Sequence, residues 1–390
     1  MADLKNLRKV LGQLQTKYKN TIFQAEEANV INKINFQSPQ LTYQFSGFSY
    51  DRVHQLYGPE SSGKSSISTY IAGQLQQKFP ERPVVLYLDF ERTFDIEYAK
   101  NLGLNTDEDH FILIRAENGE EGFTIAEELV KTESLCCIIF DSDATCPTRT
   151  EIADEVNKAS FGGSALMFSR VLRRWNILCA KYKTPLIWIS QERANMNAYA
   201  HLPSTTGGYA IKFSASTRNR VTKIDNITQG GEIVGIKVRV RNYKNKTGIP
   251  FRDAEMALYF DGGFKSDDEY VDFLVRFDIF KQGGAWFTCD RWGEPIKCNG
   301  KAKVLEWLKE NPEKYEELKN EVTNRLLGFS EELDSHNSDP EIEEGTGEKF
   351  NKEEVQYVES LAEQALDDDL LYIGLDLSRS DDYTKTVEKE

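Results

Sequence analysis

The chain has 390 residues, 28% of them charged, with a formal net charge of −15, and it is long enough for more than one hydrophobic core. The excess acidity is confined to one end: residues 328–390 hold 20 Asp/Glu against 5 Lys/Arg, while the preceding 327 hold 43 of each sign, so the body is free to carry basic surfaces. Six cysteines without a C-x-x-C spacing, with only four histidines, argue against zinc and for reduced thiols; the longest apolar runs are too short for a membrane span and the polar N-terminus is unlike a signal peptide, so a soluble cytoplasmic protein with no membrane partner is expected.

In chain order, Leu4, Leu7, Leu11, Leu14 and Tyr18 recur at helical spacing. They predict an amphipathic helix packed either on its own domain or on a neighbouring subunit. From about residue 50, apolar runs alternate with helical patterns. "VHQLY" (53–57), "PVVLYLDF" (83–90), "FILIRA" (111–116), "LCCIIFD" (135–141) and "PLIWISQ" (185–191) read as buried strands. Segments such as "SSISTYIAGQLQQKF" and "SALMFSRVLRRWNILCAKY" read as helices between them. Near-continuous apolar strands separated by helices predict an α/β fold with a parallel sheet covered on both faces.

The first of these strands leads into "GPESSGKSS", which fits G-x-x-x-x-G-K-[ST] between a strand and a helix. In such a loop Gly58, Pro59, Glu60, Ser61, Ser62, Gly63, Lys64, Ser65 and Ser66 wrap a phosphate chain with backbone N–H groups. Lys64 supplies a compact cation for the β- and γ-phosphates, Ser65 offers a hydroxyl to Mg²⁺, and the following helix points its positive end at the same anion. Asp141 ends the strand "LCCIIFD", where a carboxylate reaches the cation. Asp89 and Glu91 lie just past another strand end, where a carboxylate orients or deprotonates an attacking water. Gln191 ends the strand "PLIWIS", and an uncharged amide there can contact the γ-phosphate and report its loss through the attached loop.

That loop, Glu192 to Thr206, has few aliphatic residues and returns through Gly207 and Gly208, where a close backbone approach needs no Cβ. Beyond it, "RNRVTKI", "EIVGIKVRVRNYK" and "EMALYF" alternate and predict antiparallel strands extending the sheet. Residues 210–252 hold ten Lys/Arg against Asp225 and Glu232, a candidate phosphate-backbone footprint or, in part, solvated strand faces. Arg170, Arg173 and Arg174 form a second basic group, and Met196 and Tyr199 could wedge between bases. Residues 268–327 suggest a small α/β domain with helices at both ends. From Gly328 the chain reads as a largely disordered acidic tail with one helix near 352–366. If this tail competes with DNA for the basic face, deleting 328–390 raises affinity for duplex DNA; unchanged affinity refutes that competition.

These motifs together resemble the bacterial RecA recombinase family. "GPESSGKSS", "DFERTFDIEYAKNLGLN", "IIFDS", "WISQERANM", "STTGGYAIKFSASTRNR" and "KNKTGIPFRDAE" carry the resemblance, which runs over about residues 5–327. It implies a RecA-type P-loop ATPase core at 46–267, with a mostly parallel sheet, helices on both faces and an antiparallel extension. An N-terminal helical arm (1–45), a small α/β C-terminal domain (268–327) and an acidic tail (328–390) complete the expected organisation. It further implies ATP and Mg²⁺ as cofactors, with Ser65 and Asp141 on the metal. Glu91, Lys64 and Gln191 are the expected catalytic groups, with Lys244 and Lys246 reaching the γ-phosphate of a neighbouring subunit. Asp95, Tyr98 and Tyr259 are placed with the nucleotide. DNA contacts are expected from Arg170, Arg173, Arg174, Arg193, Met196, Tyr199, Gly207, Gly208 and Lys212.

The first DNA loop, "EIADEVNKASFGG" (151–163), keeps little of the family's wording, and Tyr199 and His201 stand where an apolar wedge is expected. Such divergence suits a phage-encoded relative, acting in the cytoplasm of its host. The implied function is filament formation on single-stranded DNA, pairing with a homologous duplex and strand exchange, with DNA-stimulated ATP hydrolysis. Single-strand-binding and mediator proteins are the further partners expected. The alternatives are a hexameric helicase on the same core, or an ATP-gated DNA scaffold that does not hydrolyse.

Overall fold

A computed structural model describes residues 4–17, 31–154, 163–193 and 204–335. The first helix, α1 (Leu4–Lys17), is amphipathic as its spacing predicts. Its apolar residues Leu7, Val10, Leu11 and Leu14 are exposed among the described residues. Short strands β1 (Lys33–Ile34) and β2 (Phe48–Ser49) pair with each other around α2 (Pro39–Phe45). Helix α2 is started by the Ser38 side chain, which accepts from the Leu41 amide, and by Pro39 in its first turn.

The large sheet begins with β3 (Val53–Gly58), followed by α3 (Lys64–Lys78), β4 (Val84–Asp89), α4 (Ile96–Asn101), β5 (Phe111–Ile114), α5 (Gly119–Val130) and β6 (Leu135–Asp141). Next come α6 (Arg149–Ala153), α7 (Gly163–Tyr182), β7 (Leu186–Arg193), β8 (Ser204–Thr205) and α8 (Gly208–Ser214). Strands β9 (Thr217–Gln229), β10 (Glu232–Asn245), β11 (Asp253–Tyr259) and β12 (Gly263–Phe264) complete it. The spatial order is β12-β11-β10-β9-β3-β7-β6-β4-β5, with β8 on β7. Strands β9, β3, β7, β6, β4 and β5 run parallel, and β10, β11 and β12 extend the sheet beyond β9, each antiparallel to the strand before it.

The parallel strands alternate between two cores, which explains their unbroken apolar wording. Leu56, Ile139, Ile187 and Ile189 face one side with Ile67, Ile71 and Leu75 of α3. Val53, Ile138, Phe140, Leu186 and Trp188 face the other with Phe123 of α5 and Phe168, Leu172 and Trp175 of α7. Burying Trp188 and Trp175 fully commits this second face to the core.

Two expectations change here. The segment Glu192–Thr206 is not a loop from its first residue: β7 runs on to Arg193 and pairs antiparallel with β8, in the register Glu192↔Thr205 and Arg193↔Ser204. The helix α8 between this ribbon and β9 was missed, because "GYAIKFS" is too short for a helical period to show.

After the sheet follow α9 (Asp267–Arg276), the antiparallel strands β13 (Lys281–Gly283), β14 (Trp286–Cys289) and β15 (Ile296–Asn299), and helices α10 (Lys301–Glu310) and α11 (Pro312–Ser335). They enclose a separate core of Val271, Phe273, Phe280, Phe287, Val304, Leu308 and Val322. The chain up to Ser335 forms one compact unit, and α11 continues past Gly328, where a disordered tail was expected to begin. The helix expected near 352–366 lies outside the described residues. No described helix is long and apolar enough to cross a membrane.

Candidate nucleotide and DNA site

The loop between β3 and α3 is held open by its glycines. A Cβ on Gly58 would overlap the Val221 carbonyl oxygen of β9, so no larger residue fits. Gly63 has φ +92 and is the N-cap of α3, leaving the first amides of that helix pointed into the loop. Lys64 donates from Nζ to the Pro59 carbonyl at 2.6 Å, curling over the loop. Burial pushes its ammonium below the ordinary lysine value, against the opposing pull of Asp141, Glu91, Glu192 and Glu60.

Ser65 Oγ donates to Asp141 Oδ2 at 2.7 Å, and the Tyr87 hydroxyl donates to the same oxygen at 2.6 Å. Asp141 Oδ1 and, inside the loop, Ser62 Oγ are buried and have no partner among the described residues. Burial raises the Asp141 carboxyl to about 6. A hydroxyl and a carboxylate side by side, one carboxylate oxygen still uncommitted, fit a hard divalent cation completed by phosphate oxygens and water. Among the described residues no group of three or more His, Cys, Asp or Glu side chains forms an all-protein cation site.

Around this cradle, Tyr98 brings its hydroxyl to 3.2 Å from Ser66 Oγ, and Asp95 caps α4 by accepting from the Tyr98 amide at 3.0 Å. Tyr259, at the end of β11, stacks under Lys265 Nζ at 4.1 Å. Its neighbour Leu258 lies beside Gly63. Asp89 is buried and engaged elsewhere, accepting from Arg115 Nε at 2.9 Å and from the amides of Thr93 and Phe94. Of the two acidic residues at the end of β4, Glu91 is the one joined to Gln191 beside the phosphate loop. Its Oε1 accepts from Ser142 Oγ and from Gln191 Nε2, both at 2.9 Å. Gln191 is the register partner of Gly58 across β3 and β7, so sheet geometry sets the amide beside the loop.

Lys244 and Lys246 are not brought to this cradle. Lys244 Nζ donates to the carbonyls of Lys212 and Phe213 at 2.7 and 3.1 Å, closing the C-terminus of α8. Burial and the charges of Lys246 and Arg218 pull it down to about 8. The basic stretch 210–252 is partly neutralised within the sheet. Arg220 forms a two-point pair with Glu192 at 2.7 and 3.0 Å, Arg239 pairs with Glu255, and Arg241 with Asp253. The count of ten basic residues therefore overstates the footprint, because cross-strand acidic partners lie outside the counted window.

Arg170, Arg173 and Arg174 lie exposed along α7, Arg174 paired with Glu127 and Arg173 donating to the Ser169 carbonyl. Lys212 is half-buried over the Tyr209 ring. Arg193 is on β7, while Met196 and Tyr199 lie outside the described residues. Gly207 (φ +81) and Gly208 (φ +71) open α8. The close approach at Gly207 is to Asp143, whose carboxylate a Cβ there would overlap. An internal contact therefore requires glycine at this position, whatever else approaches it. Ser142, Asp143 and Thr206 were missed: nothing in "DSDAT" marks that the fold buries Asp143 as well as Asp141.

This arrangement defines a P-loop nucleotide-binding protein of the α/β class. Residues 5–265 match the family model for the RecA N-terminal domain and residues 269–327 that for the RecA C-terminal domain. Protein RecA of Mycoplasma mycoides subsp. mycoides SC is 32% identical over 328 residues, covering 83% of this chain and 93% of that protein. Protein RecA of Clostridium botulinum (strain Alaska E43 / Type E3) is 33% identical over 325 residues, covering 82% and 89%. Protein RecA of Campylobacter jejuni subsp. doylei is 33% identical over 331 residues, covering 83% and 92%. The chain belongs to the RecA family. It is a nucleotide-binding DNA recombinase and DNA-dependent ATPase of recombination and repair, and the helicase and scaffold alternatives are not favoured.

Proposed function

We propose that the nucleotide is ATP with Mg²⁺, bound by Gly58–Ser66, and that its hydrolysis times the release of single-stranded DNA from a filament that pairs it with a homologous duplex. The observation that supports this most is the Gln191–Glu91 hydrogen bond beside the phosphate loop, because it joins the proposed base to the strand leading into the proposed DNA loop. Backbone amides of the loop and Lys64 hold the phosphates, and Ser65 and Asp141 hold the cation. Mg²⁺, when bound, supplies charge neutralisation at the β- and γ-phosphate oxygens. Glu91 takes the proton of the attacking water, Ser142 and Gln191 orient its carboxylate, and Asp95, Tyr98 and Tyr259 border the nucleotide.

Lys244 and Lys246 act on the ATP of the neighbouring subunit, a role in keeping with Lys244 Nζ donating to the carbonyls at the end of α8 and not to a group of the phosphate loop. DNA is contacted by Arg170, Arg173, Arg174, Arg193, Met196, Tyr199, Gly207, Gly208 and Lys212. Residues 46–267 form the core, 1–45 the subunit-contact arm, 268–327 the small C-terminal domain and 328–390 the acidic tail. The setting is the cytoplasm, with single-strand-binding and mediator proteins as partners. The test is an ATPase assay with and without single-stranded DNA, followed by strand exchange. Glu91→Gln is expected to lower hydrolysis by about 10²- to 10⁴-fold while filaments still assemble on DNA with ATP. Wild-type hydrolysis by this variant would remove Glu91 from the mechanism.

A further inference from the structure

Just beyond the cation-side strand β6, Asp143 is 6% exposed and is enclosed by donors from another part of the chain. Its Oδ2 accepts from Trp188 Nε1 at 2.9 Å and from Ser190 Oγ at 2.6 Å, both on β7. Its Oδ1 accepts from Thr206 Oγ, just beyond β8. Thr206 is itself locked to Gln191: its hydroxyl accepts from the Gln191 amide at 3.0 Å, and its own amide donates to the Gln191 carbonyl at 3.0 Å. Gly207 then presses its Cα against the Asp143 carboxylate, leaving no room for a Cβ. One carboxylate therefore grips both strands of the β7–β8 ribbon at the level of Gln191.

The grip extends across the sheet. Ser190 Oγ also accepts from Gln55 Nε2 of β3 at 2.8 Å, and Gln55 Oε1 accepts from Arg218 Nε of β9 at 2.7 Å. A buried carboxylate with three donors loses all of them if the ribbon shifts, and stranding it is costly. The ribbon and the end of β6 consequently move together or not at all. Ser142, the residue before Asp143, holds Glu91 Oε1 together with Gln191. Hence Glu91 is held from two sides, and Asp143 ties those two sides to each other.

We propose that Asp143 is a positioning residue that couples the β7–β8 ribbon to Glu91, so that what happens at the ribbon sets the geometry of hydrolysis. The inference rests on the reading of Glu91 and Gln191 given above. It concerns a residue outside the phosphate loop that would transmit through Thr206, Gln191 and Ser142. Without it the two ribbon strands keep their ladder and the Thr206–Gln191 hydrogen bonds, but the Asp143 side chain no longer ties them to the end of β6, where Ser142 holds Glu91.

Three variants of the full chain test this: Thr206→Val, Asp143→Asn and Asp143→Leu. Each is measured for binding of a fluorescent ATP analogue, for ATP hydrolysis with and without single-stranded DNA, and for thermal stability. Thr206→Val and Asp143→Leu are expected to lower the ratio of DNA-stimulated to DNA-free hydrolysis about three- to tenfold. The dissociation constant for the analogue is expected to stay within about twofold, since the phosphate cradle is untouched. Asp143→Asn is expected to keep most of the ratio. Its amide oxygen can accept from Trp188 and Ser190, and its NH₂ can donate to Thr206 Oγ, whose proton turns to the Gln191 carbonyl 3.2 Å away.

Thr206→Val decides the matter should Asp143→Leu fail to fold, because it leaves Asp143 and two of its donors in place. A folded Thr206→Val protein with the wild-type ratio overturns the inference, as does Asp143→Asn falling as far as Asp143→Leu. The two readings fail separately. Wild-type hydrolysis by Glu91→Gln removes the role of Glu91. An inactive Glu91→Gln with an unaltered Thr206→Val ratio removes only Asp143.

Discussion

Raising the pH should loosen the junction between α2 and α9 through a single carboxyl group, Glu269. It lies 6% exposed in the first turn of α9, accepting from Ser38 Oγ at 2.5 Å and from the Gln40 amide at 3.3 Å. Its other oxygen, Oε1, is buried without a partner among the described residues. Burial pushes the carboxyl from its ordinary 4.5 up to about 8, outweighing the two hydrogen bonds, which act in the opposite direction. The folded protein therefore holds this proton over a range where the unfolded chain has released it. The corresponding stability is full below about 4.5, declines as pH rises, and is gone above about 8. At about 1.4 kcal/mol per pH unit, a shift of this size corresponds to a loss on the order of 5 kcal/mol across that window.

The assay is urea unfolding followed by tryptophan fluorescence at pH 5, 7 and 8.5, for the wild type and Glu269→Gln. The amide keeps an acceptor for Ser38 and Gln40 but does not titrate. Any constant cost of seating its NH₂ group shifts the whole curve and leaves the slope unaffected. The difference in stability between variant and wild type should grow in the variant's favour by several kcal/mol (~3–5) from pH 5 to 8.5. Parallel pH profiles for the two proteins would refute the reasoning, because every other titrating group is common to both.

Other outcomes follow from the same geometry. Gly207→Ala should destabilise by about 1–3 kcal/mol and depress DNA-stimulated ATPase, because the new Cβ must displace a fully engaged Asp143 carboxylate at φ +81. Gly208→Ala, with only Ala165 Cβ at 3.5 Å, should cost about 1 kcal/mol from φ +71 alone; equal effects in the two variants would refute the contact argument. Lys244 should be charged below about 8 and lose its proton above it. That value belongs to the free subunit; an adjoining γ-phosphate would hold the proton on. Lys244→Ala is expected to lower filament-dependent ATPase by about 10²- to 10³-fold, and wild-type hydrolysis by this variant would exclude Lys244 from the γ-phosphate contact.

The parallel strands, the phosphate loop and its helix were legible in the sequence because each depends on local wording. A strand buried on both faces must be apolar throughout, and a loop wrapping phosphates needs its glycines and lysine at fixed spacing. Gln191 and Asp141 were legible for a related reason: a polar residue ending an apolar strand sits at the carboxyl edge of the sheet, where the loop also lies. Which polar residue there does what depended on pairing. Asp89 and Glu91 read alike from the sequence, yet Arg115 takes the first and Ser142 and Gln191 take the second. The basic stretch 210–252 looked more open than it is, since strand register places Asp253 and Glu255 opposite Arg241 and Arg239, and Arg220 pairs with Glu192 of β7. Asp143 and Thr206 stand 63 residues apart, and no periodicity connects them. Local chemistry in the chain determined that there is a phosphate cradle and a sheet to hold it. Only the tertiary fold decided which carboxylates face that cradle and which are spent on holding the chain, because hydrogen-bond partners are assigned by proximity in space.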